Sequence, residues 1–203
     1  MSTRTATVTR TTRETSIRMT LDLDGSGTTS VKTGIGFLDH LLDTLARHAR
    51  FDLKLMCEGD LQVDDHHTAE DCALALGEAL DRALEERRGV NRFGWALAPL
   101  DDALARAVVD LSGRPFSDVA LGLVREAIGG LACENVAHLL RSLATAARMT
   151  LHVDVLKGEN DHHRAEAAFK ATALALRQAV ARSGFDDVPS TKGTLEGRGA
   201  SRE

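Results

Sequence analysis

Tyrosine is absent from this chain, Trp95 is its only tryptophan, and aromatic residues make up 3% of its 203 residues. That scarcity argues against a platform of aromatic rings for stacking nucleic-acid bases. Positive charge is not in excess either: a formal charge of −5 and a pI near 5.9 speak against holding a polyanion by bulk electrostatics. No apolar run is long enough for a membrane span, and the polar start Met1-Ser2-Thr3-Arg4-Thr5 lacks the apolar stretch of a secretory signal. A cytoplasmic protein that uses neither nucleic acid nor membrane is expected. The three cysteines, Cys57, Cys72 and Cys133, are odd in number and have no CxxC spacing. They are expected to stay reduced as small buried hydrophobes.

What the chain does have is a repeated histidine pattern. Asp65-His66-His67-Thr68-Ala69-Glu70 returns as Asp161-His162-His163-Arg164-Ala165-Glu166, 96 residues on (66 against 162). A further pair, His40 and His138, lies upstream at a spacing of 98 (40 against 138). Both motifs lead into runs suited to a helix, so the first His and the Glu of each share one helical face at i and i+4. Histidines packed near helix starts for other reasons would account for one such motif. They do not account for two copies with a matched third histidine.

The repeat reaches beyond the histidines. Leu38, Leu41, Leu42 and Leu45 match Val136, Leu139, Leu140 and Leu143, the stripe of a helix packed on one side. Short alternating runs follow, Phe51 to Met56 and Met149 to Val155, with Leu53, Leu55, Leu151 and Val153 facing inward. Ala/Leu-rich helices are expected roughly from Thr68 to Glu86 and from Arg164 to Ser183. Ahead of each first helix lie extended segments, Ala6 to Leu23 with Thr28 to Thr33, and Ala103 to Leu111 with Phe116 to Leu121. Asp24-Gly25-Ser26-Gly27 and Ser112-Gly113-Arg114-Pro115 supply the intervening turns.

The chain therefore reads as two strand–strand–helix–strand–helix units, residues 1–88 and 89–193, joined near Arg87 to Arg92. An α+β fold is expected, a two-layer sandwich in which sheet packs on helices. Each unit is small for an independent core, so the two should pack as one body, with 194–203 as a mobile tail.

Imidazole and carboxylate donors without thiolate suit Mn, Fe, Zn, Ni or Co. On an ideal helix His67 and His163 point about 100° away from their neighbours and are free to serve a second ion, so two related sites are expected. Pseudo-symmetry gives each site an upstream His, one member of each doublet and one Glu. Asp65 and Asp161 are either acceptors that fix imidazole tautomers or helix N-caps. His48 and His152, which have no repeat partner, read as ordinary residues, and Arg47, Arg87 and Arg88 as surface charge. Lys170, four residues after Glu166, projects from the metal-binding face.

Five segments resemble imidazoleglycerol-phosphate dehydratases. They are Thr33-Gly34-Ile35-Gly36-Phe37-Leu38-Asp39-His40, Asp64-Asp65-His66-His67-Thr68-Ala69-Glu70-Asp71, Asp110-Leu111-Ser112-Gly113-Arg114-Pro115, His162-His163-Arg164-Ala165-Glu166-Ala167-Ala168-Phe169-Lys170 and Ser190-Thr191-Lys192-Gly193. They stand in the family's order, and the resemblance spans about residues 4–195. It implies a duplicated fold of the ribosomal protein S5 domain 2-like type. It also implies a lyase of histidine biosynthesis that converts imidazole glycerol phosphate to imidazole acetol phosphate and water. Mn²⁺, two ions per active site, and a homo-oligomer of about 24 subunits with sites between neighbours come with it. By the same resemblance His40, His66, His67, Glu70, His138, His162, His163 and Glu166 are metal ligands. Glu14 is the catalytic, substrate-contacting carboxylate, and Arg92, Arg114, Lys170, Ser190 and Lys192 are the other substrate contacts.

The implied reaction must remove a proton of low acidity. Metal ions on both ring nitrogens would stabilise an imidazolate able to expel the neighbouring hydroxyl, and two pseudo-symmetric sites match a ring with two nitrogens. A carboxylate bound to a dication is a poor base, which favours Glu70 and Glu166 as ligands; Glu14 as the proton carrier is what the resemblance implies. Two other readings compete: a metal-dependent hydrolase, which has no need of duplicated sites, and a metal-stapled assembly protein without turnover. A binding module of ribosomal-protein type is disfavoured by the acidic balance and the missing aromatics.

Overall fold

Period-2 and helical segments alternate twice along the chain, and a computed structural model, described over residues 3–195, gives their arrangement. The first half runs β1 (Thr5–Thr11), β2 (Thr15–Asp22), β3 (Thr29–Lys32), α1 (Gly36–Ala49), β4 (Asp52–Gly59), α2 (His66–Leu84). The second runs β5 (Phe93–Leu100), β6 (Ala103–Asp110), β7 (Phe116–Ala120), β8 (Ala127–Ile128), β9 (Leu131–Ala132), α3 (Cys133–Ala146), β10 (Thr150–Lys157), α4 (Asp161–Val180). The strand orders match, β1-β2-β4-β3 and β5-β6-β10-β7, and in each the third strand of the half pairs in parallel with the strand that follows the first helix. The internal duplication and the α+β class are as the sequence implies.

The four-stranded sheet of each half holds one strand more than its expected unit. Ala6 to Leu23 is a hairpin, β1 and β2, whose turn at Thr12-Arg13-Glu14 contains no Gly, Pro or Asn to announce it. Its tightness comes instead from the Thr12 hydroxyl, which accepts from the backbone N–H groups of Glu14 and Thr15 at 3.1 and 3.0 Å. In the second half, β5 escapes the pattern because Phe93, Trp95 and Leu97 occupy its exposed positions, so apolar residues lie on both of its faces. A second departure is the β8–β9 hairpin between β7 and α3, which has no counterpart in the first half. It explains why β7 trails β3 by 87 residues (29 against 116) whereas β10 trails β4 by 98 (52 against 150).

Sheet and helices pack through alternation. Along β2 the buried residues are Thr15, Ile17, Met19 and Leu21, and along β4 Leu53, Leu55 and Cys57. The matched leucine stripes of α1 and α3 are no more than 1% exposed. Within each half the helices cover one face of the sheet, a two-layer arrangement. Between halves α1 lies on α4 and α2 on α3, so the helices fill the centre and the sheets face outward. α2 and α3 approach so closely at Gly77 that a Cβ there would stand 2.6 Å from the Leu143 carbonyl oxygen and 2.7 Å from the Ala147 nitrogen. That contact requires glycine.

The crossing between halves, residues 85–92, contains Arg87, which is 3% exposed rather than on the surface as the sequence suggests. Its guanidinium donates to Asp81 at 2.6 Å and to the carbonyl oxygens of Ala147 and Arg148 at 2.8 and 2.9 Å. Those carbonyls end α3 and lack intrahelical partners, so a long cation threaded between the halves satisfies them. No helix among the described residues is long and apolar enough to cross a membrane. All three cysteines are free and buried. From residue 196 onward the expected tail lies outside the described residues.

Candidate metal centres and substrate contacts

α2 begins at His66 and α4 at Asp161, so both His doublets sit in a first helical turn. Asn160 caps α4 one step before Asp161, while Asp65 stands at the cap position of α2 without a side-chain cap bond. Asp64 Oδ1 accepts from the His66 N–H at 2.8 Å and Asn160 Oδ1 from the His162 N–H at 2.9 Å. Asp65 and Asp161 are thereby released from both expected roles. Asp65 accepts from the Ala132 N–H at 2.7 Å, and Asp161 from the Val124 and Arg125 N–H groups at 2.9 and 2.7 Å.

Because the helices pair across the halves, each upstream histidine meets the other half's doublet. Two groups of three form, His40 with His162 and Glu166, and His66 with Glu70 and His138, and within each group the candidate ligand atoms lie within 4.8 Å of one another. His40 Nε2 is 2.8 Å and His162 Nε2 3.3 Å from Glu166 Oε2. In the other group His138 Nε2 is 2.9 Å from Glu70 Oε1, and the His66 and His138 rings stack at 4.9 Å. Two imidazoles and one carboxylate, with no thiolate, form a donor set that suits a divalent ion of the Mn to Zn series. The residues present fit such an ion.

The two groups are not copies in their surroundings. Lys170 Nζ reaches Glu166 Oε1 at 2.7 Å, on the face its spacing implies, while its repeat equivalent is Leu74. Burial works against ionising Glu166, but the Lys170 ammonium and then His40 outweigh it and hold its pKa down to about 2. Phe37 lies 4.9 Å from the His162 ring. The equivalent Asn135 instead meets His66 Nδ1 at 2.9 Å through Oδ1, an arrangement in which Nδ1 donates and Nε2 keeps its lone pair.

The second doublet members stand outside both groups, each edge-on to its neighbour at 6.1 Å. His67 Nδ1 lies 3.1 Å from Asp60 and its Nε2 3.8 Å from Glu14. His163 Nδ1 lies 2.5 Å from Asp102 and its Nε2 3.7 Å from Asp101. The Asp60 hydrogen bond raises the His67 pKa against a smaller opposing effect of burial. Backbone N–H groups of Glu159 and Asn160, with His163 between them in weight, hold the Asp102 carboxyl well below the usual range. Glu14 and Asp101 both belong to hairpin turns, β1–β2 and β5–β6, so the two histidines sit in matched acidic settings. Asp60, Asp102 and Asn135 were not singled out in the sequence. The acidic pair Asp101-Asp102 was the available signal, hidden because the repeat offset differs between hairpins and helices.

Of the substrate-contact candidates, Arg92 is bidentate to Asp110 at 2.7 and 3.1 Å and donates to the Pro189 carbonyl at 2.8 Å. It thus ties the end of β6, four residues before Arg114, to the turn that carries Ser190 and Lys192. The Gly193 N–H closes that turn on the Ser190 carbonyl at 2.9 Å, and the Lys192 N–H donates to Ser190 Oγ at 3.2 Å. Arg114 is exposed in its turn, its N–H on Ser112 Oγ at 3.2 Å. His48 is partly buried, which lowers its pKa. His152 lies on the outer sheet face against the Phe116 ring.

With this geometry in hand, comparison with known proteins is decisive. Residues 33–176 match the family described as Imidazoleglycerol-phosphate dehydratase. A Candida glabrata protein of that name is 54% identical over 94% of this chain and 99% of its own length, and one from Phaffia rhodozyma is 55% identical over 95% and 96%. A longer relative from Phytophthora nicotianae is 58% identical over 95% of this chain, which spans 42% of that protein. Among solved structures, the crystal structure of the Staphylococcus aureus enzyme superposes with a TM-score of 0.80 at 32% identity, covering 88% of this chain and 99% of that one. The Pyrococcus furiosus structure, in complex with (S)-C348, gives 0.80 at 37% identity, covering 93% and 100%.

Proposed function

This chain belongs to the imidazoleglycerol-phosphate dehydratase family, and from that premise we propose that it dehydrates imidazole glycerol phosphate to imidazole acetol phosphate in histidine biosynthesis, using divalent metal ions. The observation that carries the metal dependence is the pair of three-donor groups, each assembled from both halves of the duplication.

His40, His162 and Glu166 would hold one ion, and His66, Glu70 and His138 the other. Mn²⁺, two per active site, is the ion we propose, from a donor set that several divalent metals share. When bound, such ions supply positive charge beside the ring nitrogens, where negative charge develops as the substrate loses a proton. Lys170 keeps the Glu166 carboxylate ionised and so ready to act as a ligand. Glu14, exposed at a hairpin turn next to His67, carries the proton to and from the substrate carbon. Arg114, Ser190 and Lys192 bind the phosphate. Arg92, its charge already committed to Asp110, acts by fixing the Pro189 end of the same loop.

His67 and His163, held at Nδ1 by acids, would offer Nε2 to the centres of neighbouring copies. This supports a homo-oligomer, about 24 subunits by family, with sites shared between neighbours. The outer face of the second sheet is consistent with such contacts: Phe93, Trp95, Leu97, Val108 and Phe116 are all exposed on it. A cytoplasmic location accords with a small-molecule biosynthetic role. The test is direct: metal-stripped protein is assayed on imidazole glycerol phosphate with and without added Mn²⁺. Turnover should depend on the metal. Absence of turnover in the loaded protein would leave a metal-stapled assembly protein as the better reading.

A further inference from the structure

The β8–β9 insertion is the element that the repeat does not explain, and its placement is specific. Its Gly129-Gly130 turn sits on the start of α1. A Cβ on Gly129 would stand 3.7 Å from Phe37 Cβ, and one on Gly130 4.0 Å from Ile35 Cγ2. Ile128 and Gly129 line, with Gly36, Phe37, His40, His162 and Glu166, a cavity of about 370 Å³ at the first metal-ligand group. In the first half β3 passes to α1 through Thr33-Gly34-Ile35 alone, without a hairpin.

The insertion is also pinned at both ends by the two aspartates that directly precede the doublets. Asp161, 2% exposed, takes the Val124 and Arg125 N–H groups at its start. Asp65 takes the Ala132 N–H at its end. Each bond runs from a backbone N–H to a carboxyl oxygen at 2.9 Å or less. The duplicated aspartates therefore fasten one unduplicated segment to the helix starts that carry His66 and His162.

We propose that residues 121–132 form a clamped cover over the His40–His162–Glu166 centre, and that Ile128 is a specificity-determining residue that rejects azole rings bearing an extra substituent. Asp65 and Asp161 are its positioning residues. The inference rests on the dehydratase reading for the identity of the ring. Ile128 is 5% exposed and packed in the core while it lines this cavity, so it forms a wall that cannot retreat from an added methyl group on the ring.

The experiment compares kcat/KM for imidazole glycerol phosphate with that for an analogue carrying one methyl group on a ring carbon. Ile128→Ala should raise the analogue-to-substrate ratio about tenfold, the lower end of what one methyl group is worth in an apolar pocket. Asp161→Ala should move the ratio the same way and speed amide exchange at Val124 and Arg125, whereas Asp161→Asn, which keeps an acceptor oxygen, should restore both. A ratio unchanged in folded Ile128→Ala, or in Asp161→Ala whose amides exchange faster, overturns the cover. If wild-type protein turns over neither compound, the dehydratase reading has failed. The cover is then judged by calorimetric binding of imidazole against 4-methylimidazole to the manganese-loaded protein, where Ile128→Ala must narrow the preference for imidazole or the proposal falls.

Discussion

His40 of α1 faces Glu166 of α4 at 2.8 Å, although 126 residues separate them. His138 of α3 faces Glu70 of α2 at 2.9 Å in the same way. Each three-donor group thus forms only when the halves dock, and each depends on one upstream histidine. His40→Ala should remove about one bound divalent ion per chain and His138→Ala another, measured by metal analysis after dialysis against limiting Mn²⁺. Either variant retaining the full complement would contradict that histidine's assignment as a ligand.

Much of this was readable before folding. The i, i+4 spacing of His66 with Glu70, and of His162 with Glu166, is local and survives in any helix, as does the leucine stripe that buries α1 against α4. The cross-half partnership of His40 with His162 was not readable, because it depends on which helix of one unit docks on which of the other. Asp65 and Asp161 illustrate the same limit. Their position before a helix suggested caps or tautomer-fixing acceptors, but Asp64 and Asn160 bond the His66 and His162 N–H groups and the aspartate side chains go to a hairpin that the repeat conceals. Arg87 is a sharper case: nothing in Glu85-Glu86-Arg87-Arg88 distinguishes the buried guanidinium from its exposed neighbour.

Glu14→Gln isolates the proton step. The amide keeps the size and hydrogen-bonding reach of the carboxylate but cannot exchange a proton, and Glu14 lies outside both three-donor groups. Turnover should fall by about 10²- to 10⁴-fold, with metal content and assembly size unchanged. A fall that tracks loss of metal would assign Glu14 to binding instead.

Arg87→Ala removes the cation but leaves Asp81 and two helix-end carbonyls buried. Breaking a buried pair from one side costs about 3–5 kcal/mol, so urea denaturation of this variant should show a loss of that order. Arg87→Met, which refills the volume, and the double change with Asp81→Ala, which also removes the carboxylate that Arg87 bonds, should each lose less. Equal losses in Arg87→Ala and the double variant, with none in Arg87→Met, would mean that the volume of the arginine matters and its charge does not.

Asp52 governs an acid-sensitive contribution away from the centres. Its Oδ1 accepts from the N–H groups of Thr28, Ser26 and Gly27 at 2.8, 2.8 and 3.0 Å, and those bonds hold its pKa below the usual 3.8. A carboxyl depressed in the folded state stabilises the protein above its unfolded pKa, and that contribution is lost as pH falls through the folded value. Asp52→Asn should therefore be less stable than wild type at pH 7, and the gap should shrink below about pH 4. A gap that stays constant down to pH 3 would show that the charge on Asp52 contributes nothing.

Removing metal should do more than stop turnover. Each three-donor group has three donors among the described residues, and His67 and His163, directed to Asp60 and Asp102 at Nδ1, stand apart from both. If their Nε2 atoms complete the centres of neighbouring copies, metal ions are cross-links between subunits, and chelation should shift the assembly toward smaller species while each chain keeps its fold. Light scattering and far-ultraviolet circular dichroism on the same chelated sample separate the two effects. His67→Ala or His163→Ala should reproduce the smaller species in the presence of Mn²⁺, because each removes a donor without touching either intrachain group. An assembly that keeps its full size after chelation and in both variants would mean that the apolar outer sheet, with Trp95 and Phe93 at its edge strand, holds the copies together by itself.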